Sequence, residues 1–264
     1  MKEQALALAR SAREPAQALN LLREYLQALV LRSLHECEAF GPLAFVGGTA
    51  LRFLHKLPRF SEDLDFCLEN SSGYAGASWM AKIKRDLSLA AFEPHVTWND
   101  RKTVHVGWVR LGGILHEARL SPLRDEKLGI KIEIDTKPPA GARCERRIVT
   151  RHLTFLLQHY DLPSLLAGKL HAILTRPYTK GRDWYDLVWY LSHRPPVEPN
   201  MTLLQNALDQ THPGRFDARQ WRASVAERLE GSDIAAIQAD AAPLLERPGE
   251  ADLLTREDLE TLLG

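Results

Sequence analysis

Between residues 15 and 40 the apolar positions Leu19, Leu21, Leu22, Tyr25, Leu26, Leu29, Leu31 and Leu34 recur at helical spacing. They predict one long amphipathic helix packed on the downstream elements. The pattern then shortens: residues 42–46 read as a buried strand, 49–56 as a helix stopped by Pro58, and 64–68 as a second strand. Residues 70–78, NSSGYAGAS, are small and polar and predict a loop mobile over whatever site lies nearby, with Ser78 capping a helix at 79–91. A β-rich block comes next at 96–98, 103–111, 114–120, 128–135 and 144–150, where alternating and β-branched residues extend the same sheet. From residue 162 the period turns helical, over 164–174, 183–192, 203–210, 221–230 and two short segments near the end. Pro195, Pro196 and Pro199 break this half into two bundles. The expected fold class is α/β (α+β), with a mixed-sheet domain and its N-terminal helix over residues 1–161 and a helical domain over 162–264.

The chemistry concentrates in residues 44–68, AFVGGTALRFLHKLPRFSEDLDFCL. Gly47 and Gly48 close an apolar run and open a helix, so backbone N–H groups can approach a triphosphate closely, and Thr49 adds a hydroxyl there. Alternation in the following strand points Asp63 and Asp65 to one side and Leu64 and Phe66 to the core. Two carboxylates on one face suit a divalent cation. A lone Gly-Gly is usually a turn and a lone Asp-x-Asp usually a solvated loop, but their order within one βαβ-sized unit returns both to one edge.

Further along, IKIEIDT at 130–136 alternates Ile130, Ile132 and Ile134 with Lys131, Glu133 and Asp135. Phosphoryl-transfer sites commonly use a third carboxylate, because two metals held roughly 4 Å apart bridge the triphosphate and the attacking hydroxyl. Asp135, at the strand's end, is the candidate; Glu133 could serve instead, and a solvent-facing strand residue is the plain alternative. In residues 162–191 Lys169 sits in an otherwise apolar helix, where snorkelling to solvent competes with contact to phosphates. Asp183 and Asp186 share a face near a helix start, where capping is the plain reading. Arg176, Lys180 and Arg182 form a basic cluster between the two helices.

Composition narrows the class. A chain of 264 residues with 45% hydrophobic content supports a real core, and no run approaches the ~18 apolar residues of a membrane span, so a cytoplasmic protein is expected. Cys37, Cys67 and Cys144 are too few and too scattered for a disulfide framework or a zinc site and read as small buried hydrophobes. Net charge is zero, yet residues 230–264 hold nine acids against two bases, leaving the first 229 residues at +7. That asymmetry is compatible with a basic surface for a polyanion.

Taken together, GGTALRF with SEDLDF, then KIEID, then GKLHAILTRPYTKGRDWYDL resemble the AbiEii family, nucleotidyltransferase-like toxins of type IV toxin–antitoxin systems, over roughly residues 40–195. The resemblance implies a polymerase-β-like nucleotidyltransferase fold, with Gly47, Gly48 and Thr49 on the phosphates of a nucleoside triphosphate and Asp63 and Asp65 holding Mg²⁺ (or Mn²⁺). It implies that Lys169 and Asp183 are needed for activity, that the acceptor is an RNA, in some members a tRNA 3′ end, and that an antitoxin protein is the partner. In that frame Asp135 completes the carboxylate set, Lys169 binds triphosphate, and Arg176, Lys180 and Arg182 meet phosphates of nucleotide or acceptor. The sequence departs from the wider superfamily at Gly48, where a serine is common; Thr49 would have to substitute. Two rival expectations remain: a small-molecule adenylyltransferase using the same motif, and a catalytically silent binding module.

Overall fold

The computed structural model describes residues 1–264 and divides into two compact units. The first comprises Met1–Lys56, Phe60–Pro138 and Glu145–His159; the second takes Tyr160–Gly264 together with two short segments, Leu57–Arg59 and Pro139–Cys144. The first unit holds helices α1 (Lys2–Ser11), α2 (Pro15–Glu36), α3 (Gly47–His55), α4 (Gly76–Leu89) and the short α5 (Ile114–Glu117). Its strands are β1 (Leu43–Val46), β2 (Leu64–Leu68), β3 (Glu93–Asn99), β4 (Val104–Gly112), β5 (Leu128–Asp135), β6 (Cys144–Val149) and β7 (Phe155–Tyr160). They form one mixed seven-stranded sheet in the order β3-β4-β5-β2-β1-β7-β6.

The sheet is one-sided. Along β5 burial alternates strictly, with Leu128, Ile130, Ile132 and Ile134 buried and Gly129, Lys131, Glu133 and Asp135 half-exposed. Strand pairing carries this alternation across the sheet, because residues paired across strands share a face. Phe45 and Phe66 stack 5.2 Å apart on the covered face, with Phe40 beside Phe66. Helix α2 supplies the centre of that core: every residue from Glu24 to Leu31 is buried, as expected of a helix enclosed all round rather than one lying on a surface. Pro15 starts it at the first helical position, and the left-handed Glu38 turns the chain after it ends at Glu36, short of residue 40.

Several elements differ from the sequence expectation for identifiable reasons. Residues 114–120 are not a strand: Gly113, at φ +70°, turns the chain, Glu117 N–H bonds back to Gly113, and β4 already pairs on both edges with β3 and β5. Helix α4 begins at Gly76, ahead of Ser78, and has no side-chain cap; a β-carbon at Gly76 would overlap the Trp98 ring. The loop before it is tied to the covered face, since Tyr74 hydrogen-bonds His105 Nδ1 at 2.6 Å and His105 pairs with Ile134. Burial pushes the Tyr74 hydroxyl up to about 12. Helix α1 and strand β7 were not expected; α1 packs through a modest stripe of Ala5, Leu6 and Ala9, and β7 buries Phe155, Leu157 and His159. Cys37 and Cys67 are only half-buried and Cys144 is exposed, so the cysteines are not core residues.

The second unit contains α6 (Leu162–Thr175), α7 (Gly181–Leu191), α8 (Met201–Thr211), α9 (Trp221–Glu230), α10 (Ile234–Ala241) and α11 (Arg256–Leu263). The three prolines turn the chain between α7 and α8 without splitting this half: α8 and α9 return onto α6, and α10 and α11 onto α7, making one helical unit. Asp161, Asn200, Asp233 and Thr255 cap α6, α8, α10 and α11 through their side chains. One of the tail's acidic residues, Asp233, is therefore a cap.

A buried ion cluster braces the first unit. Glu24, 2% exposed, accepts from Arg52 Nε at 2.5 Å, pairs with Arg151 at 2.9 Å and contacts His152 Nε2 at 2.8 Å. Burial alone would raise its pKa, but His152, Arg52 and Arg151 outweigh that and hold the carboxyl down to about 2, against an ordinary value of 4.5. A depressed pKa stabilises the fold fully above the ordinary value, and that contribution disappears as pH falls through the folded value. Chemical denaturation as a function of pH is expected to show about 3 kcal/mol lost between about pH 5 and pH 2. Glu24→Gln is expected to destabilise the protein at neutral pH and flatten that segment of the curve.

Candidate active site

The acidic strand is held from beneath. Gln27, buried on α2, donates from Nε2 to the carbonyls of Ser61 at 3.0 Å and Glu62 at 2.9 Å. Thr49, fully buried on α3, donates its hydroxyl to the next carbonyl, that of Asp63. Three consecutive carbonyls leading into β2 are thus fixed by two side chains. The Thr49 hydroxyl is consequently engaged with the backbone and positions the strand; what it can offer a phosphate is its N–H in the first turn of α3.

Gly47 explains why glycine stands at the end of β1. Its φ is +78°, a region costly for other residues, and a β-carbon there would overlap the Asp65 carboxylate. Val46 pairs with Asp65 across the antiparallel β1–β2 ladder, so strand end, helix start and acidic strand meet at one edge. The first-turn N–H groups of α3 have no acceptors within the helix, which makes this edge suited to an anion.

The parallel β2–β5 ladder decides which third carboxylate joins them. Asp65 pairs with Glu133, whereas Asp135 pairs with Cys67, one step further from the glycine edge. It is Glu133, then, that stands beside Asp65; Asp135 lies at the far end of the row and accepts from Lys137 N–H at 2.9 Å. Lys131 completes the cluster, 2.8 Å from Glu133. Burial pulls its pKa down, but Glu133, Asp63 and Asp65 pull it up more strongly, so the ammonium stays charged among three carboxylates. The sequence reading placed Lys131 on this face without giving it a role; its register with the acidic strand was the missing information.

No three His, Cys, Asp or Glu side chains converge on a single point to form a closed metal cage. The donor set nonetheless fits a hard divalent cation, because Mg²⁺ is ordinarily held by one or two carboxylates plus substrate phosphates rather than by an all-protein cage. At the glycine edge the Asp65 carboxylate packs against Gly47, in the place a β-carbon would take, which sets one carboxylate of this donor set beside the first turn of α3.

Lys169, Asp183 and Arg176 are joined in one network within the helical unit. Lys169 Nζ donates to Asp183 at 2.8 Å and lies 2.7 Å from Asp186. Arg59 closes a bidentate pair on Asp186 at 2.5 and 2.6 Å, and Arg176 pairs with the other oxygen of Asp183. Asp183 and Asp186 are thus partners of three cations and not caps. Burial would raise the Asp183 pKa, but Lys169 foremost, then Arg176 and Arg59, hold it below the usual range. Arg59 was not singled out from sequence, since nothing local marks an arginine buried against residue 186. Of the expected basic cluster Arg176 joins this network, while Lys180 lies 5.8 Å from the Tyr178 ring and the Arg182 N–H faces Asp240.

A helix-opening glycine edge, a row of carboxylates on the exposed side of a mixed sheet and a helical unit following it define a nucleotidyltransferase-type protein. The chain belongs to the AbiEii family, nucleotidyl transferase toxins of type IV toxin–antitoxin systems, whose family model matches residues 29–262. Among solved structures it is similar to a Helicobacter pylori protein assigned as a nucleotidyltransferase, at 20% identity and TM-score 0.50, covering 92% of this chain and 93% of that one. It also matches JHP933 from Helicobacter pylori at 19% identity and TM-score 0.48, covering 92% and 91%. A comparison with curated proteins found no match.

Two substitutions test how the acidic strand is held. Gln27→Leu removes the donor to the half-buried Ser61 and Glu62 carbonyls and is expected to cost about 1 kcal/mol in denaturant unfolding. Gly47→Ala is expected to lower nucleotide affinity more than stability, measured by calorimetry beside a thermal melt, because it displaces the Asp65 carboxylate.

Proposed function

We propose that this nucleotidyltransferase toxin is metal-dependent and transfers a nucleotide from a nucleoside triphosphate to an RNA acceptor, with a tRNA 3′ end as the intended target and blocked translation as the outcome. The observation that carries the reading is the row formed by Asp63, Asp65 and Glu133 beside the first turn of α3. Family membership supports an antitoxin protein as partner, and no helix is long and apolar enough to cross a membrane.

In this reading Asp63, Asp65 and Glu133 would hold Mg²⁺ or Mn²⁺, which when bound supplies charge neutralisation at the triphosphate. The N–H groups of Gly47, Gly48 and Thr49 receive phosphate oxygens, and the absence of side chains at the two glycines permits close approach. Lys131 supplies a fixed positive charge beside the carboxylates, balancing their repulsion before substrate arrives. The acceptor hydroxyl attacks the α-phosphorus: a new oxygen–phosphorus bond forms, the bond to the β-phosphate oxygen breaks, pyrophosphate leaves with its electron pair, and the hydroxyl proton passes to Glu133. Lys169 and Asp183 keep the requirement the family resemblance implies, acting as members of the network with Arg59, Asp186 and Arg176.

Incubating the protein with total RNA, Mg²⁺ and each radiolabelled triphosphate is expected to label RNA. Asp63→Asn or Asp65→Asn is expected to reduce labelling about 10²–10⁴-fold without loss of folded protein by circular dichroism. Glu133→Gln is expected to cost far more than Asp135→Asn, a consequence of their register against Asp65. Unchanged labelling by the Asp63 and Asp65 variants overturns the reading, and label on small-molecule acceptors but not RNA overturns the choice of acceptor.

A further inference from the structure

The carboxylate side of the sheet continues past β5 into residues that the transfer chemistry does not use. Pairing aligns Thr97 of β3 with Trp108 of β4, and Trp108 with Lys131 of β5. The β2–β5 ladder extends the same row from Lys131 towards Asp63, in agreement with the electrostatic pull of Asp63 and Asp65 on Lys131. With strands about 4.8 Å apart, Trp108 lies about 10 Å along the row from the acidic strand. That is the order of distance a nucleoside sugar spans between its base and its phosphates.

Trp108 is an unusual occupant of this position. Its neighbours Gly107 and Val109 point to the covered face and are buried, while the indole is on the polar side and only half-buried. The Arg110 guanidinium lies 4.7 Å from its ring centroid and reaches Thr97 Oγ1 at 3.5 Å. On β5, Gly129 stands opposite Arg110, and a β-carbon there would approach Trp108 Cζ3 to 3.2 Å. Any larger residue would crowd the ring, so Gly129 lets the indole lie low against the sheet. Indole and guanidinium planes are both surfaces on which nucleobases stack, and such stacking tolerates any base because every base has a π-face.

We propose that Trp108, with Arg110 packed on it, is the stacking platform for the base of the nucleoside triphosphate. The proposal rests on the nucleotidyltransferase reading of the carboxylate row and adds to it the subsite that holds the base. The triphosphate is a better occupant than a base of the acceptor, because the platform stands on the same face as the carboxylates, paired with Lys131 and two strands from the acidic strand, a single nucleoside's span away. Trp108 here contributes affinity and takes no part in the bond changes.

The test compares binding of ATP, GTP, CTP and UTP with binding of inorganic tripolyphosphate, each with Mg²⁺, by calorimetry on the full chain. Trp108→Ala is expected to weaken the preferred triphosphate about 10- to 100-fold, to leave tripolyphosphate binding unchanged and to raise its KM with little change in kcat, while Trp108→Phe retains most of the affinity. Equal triphosphate affinity in wild type and Trp108→Ala overturns the platform while leaving the enzyme reading intact. Parallel loss of tripolyphosphate binding overturns it as well, since the substitution then acts on the whole site. A rise in KM for RNA alone overturns it in favour of the acceptor's base. If the wild-type protein binds neither triphosphate nor tripolyphosphate, it is the underlying nucleotidyltransferase reading that fails.

Discussion

Two side chains, Gln27 and Thr49, hold the consecutive carbonyls of Ser61, Glu62 and Asp63, and the placement of the acidic strand depends on those hydrogen bonds. The carbonyls lie just before β2, where the chain leaves a loop and has no ladder partner to fix it. Donors from α2 and α3 supply that constraint from the covered side of the sheet. Both donors are themselves buried, so these hydrogen bonds tie the start of the strand to the interior of the fold. Strand pairing does the rest, carrying the alternation of β2 to Glu133 and Lys131 on one side and to Val46 on the other.

In each unit buried carboxylates sit among cations. Glu24 sits among Arg52, Arg151 and His152, and within the helical unit Asp183 and Asp186 sit among Arg59, Lys169 and Arg176. Burying a carboxylate is unfavourable in itself, and replacing such a cluster with apolar residues need not destabilise a protein, so these clusters are better understood as fixing geometry. Glu24 ties α2, α3 and the turn before β7 through three different partners. Asp186 fixes Arg59 and one side of Lys169, leaving the lysine's direction determined by two carboxylates rather than by its flexible stem.

The one-sided sheet connects this architecture to function. Its covered face needs branched and aromatic residues, which leaves the alternate positions free for chemistry without cost to the core. Carboxylates, Lys131, Trp108 and Arg110 all occupy those alternate positions. These polar side chains thus stand on a surface that folding does not require to be apolar.

The sequence by itself determined the order of elements and the local motif, since the glycine pair, the alternation of Asp63 and Asp65 and the helical period after residue 162 depend only on neighbours in the chain. It also made the family recognisable. What it could not determine was which distant residues stand side by side. The choice of Glu133 over Asp135 beside Asp65 is a matter of register between strands more than sixty residues apart, and a step of one pair is invisible in either strand alone. Thr49 looked like a phosphate ligand because its hydroxyl is near the glycines; only the packed structure shows that hydroxyl bound to Asp63. Lys169 was ambiguous for the same reason and Arg59 gave no local signal, as a buried cation is defined by its counter-ions, and those lie on another element. Local patterning fixes which face a residue takes; tertiary pairing decides what it meets there, because contact depends on distance in space and the chain records only distance along itself.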